Sequence, residues 1–380
     1  MQKQFIFFIT NLFIFVFSLV SCRVQEGNGN NTNADSSLLI HYANGFSVSY
    51  YPDYKRVEVF NPWRNNTSLC VYYLVSDSTL KTPDDGIRIQ IPLQTLGITS
   101  CTHIEFLNLL GVLSTVKGAT MPELIYNQTL QQAFQQGKLI HLGDAFKINV
   151  EKLLLFNPDA LMVSNHSDQS DENTRNLQNT DIKLIYNNEW LEKSPLARAE
   201  WIKFVAVFYN RESLADSIFQ AIENRYNQAK IVASNVKRKP NILSGGNFKG
   251  TWYMPSGRVF MSRFFTDAGG DYYYANDTNT GSLPLTFETV LLHHQHADVW
   301  LDAQANSMAE LLAQDQRHLL FDAVKNKKVY NFNARSNEKG ANDFWESAVA
   351  RPDIVLYDII WALHPDLITD YTPIYIKQLE

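Results

Sequence analysis

Cysteine is scarce in this chain: three occur in 380 residues, Cys22, Cys70 and Cys101. No CxxC pair and no zinc-type spacing is present, which removes cysteine metal centres and dithiol redox chemistry from consideration. Cys70 and Cys101 sit in apolar, strand-like runs and stay open to two readings, a disulfide in an oxidising compartment or two buried thiols. An excess of one charge is also missing. Lys and Arg number 33 against 39 Asp and Glu, a formal net charge of −6, and the two signs are interspersed. That excludes the basic stripe a nucleic acid would require. The catalytic signatures are absent too: there is no GxSxG elbow, no HExxH, no phosphate loop and no dinucleotide fingerprint. Ser244-Gly245-Gly246 follows a strand but no helix signal starts after it. An enzyme is therefore not expected, nor is a cofactor.

What is there begins with one long apolar run, Phe5 to Val20, behind a short start carrying one Lys. Leu19-Val20-Ser21-Cys22 closes it. A basic start, an apolar stretch and a small-residue site make a secretory signal peptide, and the stretch is short for a span, which needs about 20 residues. Leu-Val-Ser-Cys resembles the lipobox of bacterial lipoproteins, in which the Cys thiol is alkylated with diacylglycerol and cleavage precedes that Cys. The resemblance implies a signal peptide at 1–21 and lipidation of Cys22. Each buried methylene contributes about 0.8 kcal/mol, so the acyl chains hold the protein on a membrane, outside the cytoplasm and facing the periplasm. Residues 22–37, rich in Gly, Asn and Ser, read as the flexible tether.

The composition, 45% hydrophobic and 13% aromatic, supplies real cores. Residues 38–97 are β-rich: LLIHYA, FSVSYYP, RVEVFNP, SLCVYYLV and IRIQI are short β-branched and aromatic runs between turn residues. From residue 98 strands alternate with helices, which argues for a parallel α/β sheet. A first lobe is expected over 98–194, with Thr102 placed to cap its first helix. A second, with a carboxy-terminal helix, is expected over 238–380. Between them, 195–237 reads as a bridging helix. Leu214, Ile218, Ile222, Tyr226 and Ala229 recur at three- and four-residue steps, and Glu212 to Val236 holds no Gly or Pro. The expected fold is two Rossmann-like α/β lobes bridged by a long helix, with an amino-terminal β-meander.

Several stretches resemble one family. They are LGVLSTVKGAT, GKLIHLGDAFKINVEKLLLFNPDALMVS, FFTDAGGDYYY, LTFETVLLHHQHADVWL, VKNKKVYNFN and RPDIVLYDIIWALHPDL. Their order and spacing resemble the solute-binding proteins of ABC importers that carry ferric siderophores, haem or cobalamin, over roughly Ile98 to Leu367. The resemblance implies a monomer that captures a metal chelate and delivers it to a membrane permease with its ATPase. It also implies that Glu151 and Glu288, one acid opening the matching helix of each lobe, dock on permease arginines. The helix dipole alone would favour an acid at both places.

The ligand should enter between the lobes, at the carboxyl ends of the strands. Thr102, His103, Asn165, His166 and Asp168 stand in such loops of the first lobe, and Trp252, Tyr253, Arg258, Arg335 and Trp345 in the second. Aromatic faces suit a flat or bulky chelate, and Arg suits an anionic one. Two other readings are carried. His293, His294 and His296 could hold a bare metal ion, although His294 faces away from the other two on a helix. The aromatic amino-terminal strands could instead bind a glycan or a protein.

Overall fold

Glu200, fully buried on a helix at the centre of the molecule, decides how the amino-terminal region is attached. The computed structural model describes residues 34–144, 147–167, 172–177 and 180–380, and Ala34–Glu380 form one compact unit. Cys22, the signal peptide and Asp168 lie outside the described residues.

Five strands open the unit. β1 (Ser36–Ser37), β2 (Phe46–Tyr50), β3 (Lys55–Phe60) and β4 (Ser68–Val75) pair antiparallel in that order, and β5 (Ile87–Gln90) joins β4 in parallel. Phe46, Val48, Val57 and Val59 are buried and alternate with Ser47, Arg56 and Glu58, the period of two that a half-covered sheet requires. The strand expected at LLIHYA does not form. The N–H groups of His41, Tyr42 and Ala43 donate to the Glu200 carboxylate at 2.9, 2.7 and 2.9 Å. Those of Asn44 and Gly45 donate to Glu192 Oε1, both at 2.9 Å. Two carboxylates thus satisfy donors that a β-ladder would otherwise use. Lys203 Nζ lies 3.1 Å from Glu200 and balances its charge. Position 45 must be glycine, because a Cβ there would stand 2.5 Å from the Trp201 ring.

The first lobe runs β6 (Leu96–Ile98), α1 (Ile104–Leu109), β7 (Val116–Ala119), α2 (Gln128–Gln135) and β8 (Ile140–His141). It continues with the small hairpin of β9 (Gly143–Asp144) and β10 (Lys147–Ile148), then α3 (Val150–Phe156), β11 (Ala160–Val163), α4 (Glu172–Leu177) and β12 (Leu184–Tyr186). Its sheet has the order β12-β11-β6-β7-β8, and every pairing is parallel. Leu96, Ile98 and Ala160 to Met162 are buried almost completely, as strands covered on both faces must be. Thr102 does not cap α1: it sits in a 3-10 turn, Cys101–His103, that precedes the helix and is capped by Ser100, whose Oγ accepts the Thr102 N–H at 3.3 Å.

Residues 195–237 hold two helices rather than one. α5 (Pro195–Val207) is buried along its whole length. The chain then turns through Asn210, whose φ of 53° is left-handed, and α6 (Glu212–Ser234) follows. At 1.5 Å per residue its 23 residues span about 34 Å. Its buried stripe is Ala215, Phe219, Ile222, Tyr226, Ala229 and Ala233, with Leu214 left exposed. Ala215 and Phe219 pack into the core that holds the first lobe's strands, and Tyr226, Ala229 and Ala233 into that of the second. A single helix therefore ties both cores.

The second lobe runs β13 (Ile242–Ser244), β14 (Gly246–Phe248), β15 (Thr251–Pro255), α7 (Phe260–Asp267), β16 (Ser282–Leu285), α8 (Phe287–His294) and β17 (Val299–Leu301). α9 (Met308–Gln314), α10 (Asp322–Lys325), β18 (Tyr330–Asn331), α11 (Pro352–Leu363) and β19 (Lys377–Gln378) complete it. β13 and β17 are parallel, and single parallel bridges from Asp271 to Asn241 and from Val329 to Trp300 flank them. β14-β15-β16 form an antiparallel ribbon. The architecture is α/β, with two lobes of parallel-rich sheet, a long helix joining them and an amino-terminal sheet. Cys70 and Cys101 are both free thiols. Their sulfurs lie 3.8 Å from the Val71 carbonyl and 3.5 Å from the Trp345 carbonyl, so the disulfide reading does not hold.

Candidate ligand-binding cleft

Parallel strands leave their carboxyl ends on one side, and the loops that follow build the site there. After β12 come Trp190, Leu191 and Lys193; after β13, Gly245; after β17, Asp302 and Gln304; after β18, Phe332 and Asn333. Together with Tyr253, Arg258, Phe260, Asn342 and Trp345, these residues line a cleft of about 1040 Å³. Gly245 makes the wall possible: its φ is +73°, and a Cβ there would sit 1.9 Å from the Tyr253 carbonyl oxygen.

The chemistry of the wall is aromatic and amide-rich. Trp190, Tyr253, Phe260, Phe332 and Trp345 offer ring faces, and half of the Trp345 surface is exposed. Several amides hold the loops in place. Asn331 Nδ2 donates to the Ala305 carbonyl at 2.9 Å and Asn342 Nδ2 to the Phe332 carbonyl at 2.8 Å. Asn333 Nδ2 donates to Asn306 Oδ1 at 2.8 Å, while its own Oδ1 is buried without a partner among the described residues. Trp190 Nε1 is in the same position as a donor. Orphaned buried polar atoms of this kind are rare unless something else satisfies them. Asp302 is one of three acids on the lining, with Glu192 and Glu338, and burial pushes its carboxyl up to about 7, because the desolvated anion is disfavoured.

The residues named from sequence divide sharply. Tyr253, Arg258 and Trp345 lie on the cleft wall. His166 packs its ring 5.5 Å from that of Trp190 and so stands beside the wall. Trp252 does not: it is fully buried, donates Nε1–H to the Ser244 carbonyl at 2.9 Å, and packs against Trp300, Phe287, Phe321 and His318. Along β15 successive side chains point to opposite faces, so Tyr253 reaches the cleft only because Trp252 goes to the core. His103 is likewise interior, with Nε2 3.1 Å from Ser164 Oγ, and burial pushes its imidazole down to about 3. Thr102 bonds Ser100, its hydroxyl 2.9 Å from Ser100 Oγ. Arg335 gives its guanidinium to Asp343 at 2.7 Å and lies over the Tyr126 ring. Thr102, His103, Trp252 and Arg335 are therefore withdrawn from the cleft. Trp190, Phe260, Asp302, Phe332 and Asn333 were not picked out in the sequence. Phe260 opens α7; for the other four the signal that could have found them is their place one to four residues beyond a strand.

Residues 99–335, well over half of the chain, match the family described as periplasmic binding protein. The chain belongs to this family. A lipoprotein of Methanocaldococcus jannaschii, itself uncharacterised, is 25% identical, the match covering 90% of this chain and 88% of that one. Among solved structures, a periplasmic heme-binding protein from Pseudomonas aeruginosa superposes with a TM-score of 0.57 at 14% identity, covering 76% of this chain and 98% of its own. The periplasmic vitamin B12-binding protein of Vibrio cholerae gives 0.54 at 14% identity, covering 71% and 96%. As a member of the periplasmic binding proteins, this chain is of a solute-binding class whose work is delivery of a small molecule to an ABC permease.

This periplasmic binding protein also carries one helix twice. α3 and α8 have the same register: a capping side chain (Asn149, Thr286) that accepts the N–H three residues on, then Glu151 or Glu288 in the first turn. Leu153 and Val290 are buried two residues after each Glu, and Leu155 and Leu292 stand 87% and 78% exposed four residues after it. The two differ in electrostatics. Arg317 Nη1 lies 3.5 Å from Glu288 Oε1, whereas Glu151 has no ion pair among the described residues. The histidines at the end of α8 do not converge. The His293 ring stacks on Tyr273, His294 is buried beside Tyr274, and His296 Nδ1 bonds Asp322 at 2.8 Å. Among the described residues no group of three His, Cys, Asp or Glu could hold a metal ion, and the bare-metal reading fails.

Proposed function

We propose that this protein captures a metal chelate, a ferric siderophore, haem or cobalamin, and hands it to the permease and ATPase of an ABC importer. The observation that carries the reading is the cleft itself: about 1040 Å³ between the lobes, with five aromatic rings on its wall and two lining residues, Trp190 and Asn333, that each keep a buried polar atom without a partner among the described residues. Cavities of this size with a few placed polar groups suit bulky, flat ligands. Tyr253, Arg258, Phe332 and Trp345 hold the chelate from the second lobe, Trp190 from the first with His166 behind it.

In the same reading Cys22 carries the lipid, the protein is a monomer facing the periplasm, and Glu151 and Glu288 dock it. The exposed Leu155 and Leu292 support this, since an acid beside an apolar knob on each lobe makes a two-point contact that fixes orientation. The lobe boundaries near residues 98, 195 and 238 belong to the same proposal.

The test is a calorimetric titration of the protein with cobalamin, haem and a set of ferric siderophores. Saturable binding at micromolar concentration or tighter, lost in Trp345→Ala with Tyr253→Ala, is the expected result. No binding across the panel would remove the chelate class.

A further inference from the structure

A second cavity, of about 560 Å³, adjoins the cleft and shares Lys193 and Arg258 with it. Its wall gathers four cationic side chains, Lys193, Lys230, Arg258 and Arg263, against one carboxylate, Asp267. The chain as a whole is acidic, with a net charge of −6. Asp267 is almost fully buried and already engaged: Lys230 Nζ lies 3.1 Å away, Arg263 Nε 3.0 Å, and Tyr226 Oη donates to it at 2.9 Å. Lys193 and Arg258 have no carboxylate partner among the described residues.

The start of α5 adds to the same field. Its first N–H groups are Leu196, Ala197 and Arg198, since Pro195 has none. Ser194 Oγ takes the Ala197 N–H and the Ser194 carbonyl takes that of Arg198. The Leu196 N–H, on the cavity wall, has no hydrogen-bond partner among the described residues. A helix start carries a partial positive charge and binds anions through such donors. Cations crowded in one cavity repel one another, and an anion placed among them relieves that repulsion.

We propose that this basic chamber is an anion subsite of the cleft, which takes a phosphate or carboxylate arm of the chelate whose body lies on the aromatic wall. The inference rests on the cargo reading above. Lys193 and Arg258 stand where the two cavities meet and contact the arm as it passes. Lys230 and Arg263, neutralised in part by Asp267, set the field at the far end. The class of cargo is narrowed accordingly: a chelate with an anionic appendage, not one that is neutral throughout.

Calorimetry on the full chain with inorganic pyrophosphate and with citrate tests the chamber apart from the cleft. Wild type is expected to bind one or both, more weakly as salt rises. Arg258→Gln and Lys193→Gln should each weaken binding about tenfold, and Lys230→Gln less; tenfold corresponds to about 1.4 kcal/mol. Preference for pyrophosphate or for citrate identifies the arm as phosphate or carboxylate. A corrinoid bearing its phosphate should outbind the same ring lacking it, and the difference should vanish in Arg258→Gln. If chelates bind but neither anion does, the subsite is overturned and the cargo reading stands. Anion binding that Arg258→Gln and Lys193→Gln leave unchanged places the anion elsewhere and also overturns it. Anion binding that depends on both cations, with no chelate bound, overturns the cargo reading and with it the role as a cargo subsite. Melting curves of each variant separate loss of binding from loss of fold.

Discussion

The first lobe has the more complete sheet and the second lobe has most of the cleft. Five parallel strands make the first lobe a regular scaffold, and among the described residues it brings to the cleft wall only the short turn from Trp190 to Lys193. The second lobe keeps two fully paired parallel strands and, besides its helices, adds an antiparallel ribbon and long loops. The ribbon supplies Tyr253, and the loops supply Arg258, Asp302, Phe332, Asn333 and Trp345. Backbone that is not committed to a ladder is available to shape a wall, and the core beneath must then be fixed by other means. Here that is the cluster of Trp252, Trp300, Phe287 and Phe321.

The largest expected effect comes from breaking that support. Trp252→Ala should cost about 3–5 kcal/mol, as for large aromatic deletions in a core, read as a fall in the melting temperature of the second lobe. Its neighbour Tyr253→Ala should leave melting unchanged and weaken chelate binding about tenfold or more. Equal melting losses in the two variants would show that β15 does not divide core from wall.

Next, the lobes can be compared at the cleft. Trp190→Ala should weaken chelate binding less than Trp345→Ala does, both measured by calorimetry, since its ring is the contribution of the lobe with the smaller share of the wall. A larger loss at Trp190 would reverse the assignment of recognition to the second lobe.

The docking helices sharpen the comparison further. Glu288 already faces Arg317 and Glu151 faces no cation among the described residues, so Glu151→Ala should weaken binding to the permease about tenfold, near the low end for interfacial charge pairs, and Glu288→Ala less. Removing Arg317 should bring the two closer. Permease affinity unchanged in the double variant would reduce both acids to helix caps.

The smallest effect is on pH. With the Asp302 carboxyl raised to about 7, the group is neutral below that pH and an anion above it. An anion-bearing cargo should therefore bind severalfold more weakly as pH rises through about 7. Asp302→Asn should flatten the profile, and a profile that Asp302→Asn leaves intact would exclude the group.

Much of this fold was legible because period is local information. SLCVYYLV, DALMVS and NILSGG became β4, β11 and β13, and the acids of α3 and α8 were found from their place before an apolar run. The break between α5 and α6 was not, because its cause is one left-handed Asn in an otherwise helical stretch. LLIHYA misled for another reason: its pattern suits a strand, yet its donors go to carboxylates some 150 residues away. The site was the least legible part. Nothing local tells that Trp252 faces the core and Tyr253 the cleft; the register of β15 against β14 and β16 decides it. Nor does composition show that Arg335 is matched by Asp343 and Arg258 by nothing among the described residues.

The carboxylates that hold residues 41–45 have a mechanical consequence. The chain leading from the amino terminus pairs first as β1 with β2 and is then held by Glu200 on α5 and Glu192 just before it, and α5 is buried along its whole length. A pull on that end of the chain is received near the middle of the molecule, beside the start of α6. Tension that strips β1 from β2 is therefore taken up next by two carboxylates anchored in the buried interior, not by the cleft wall.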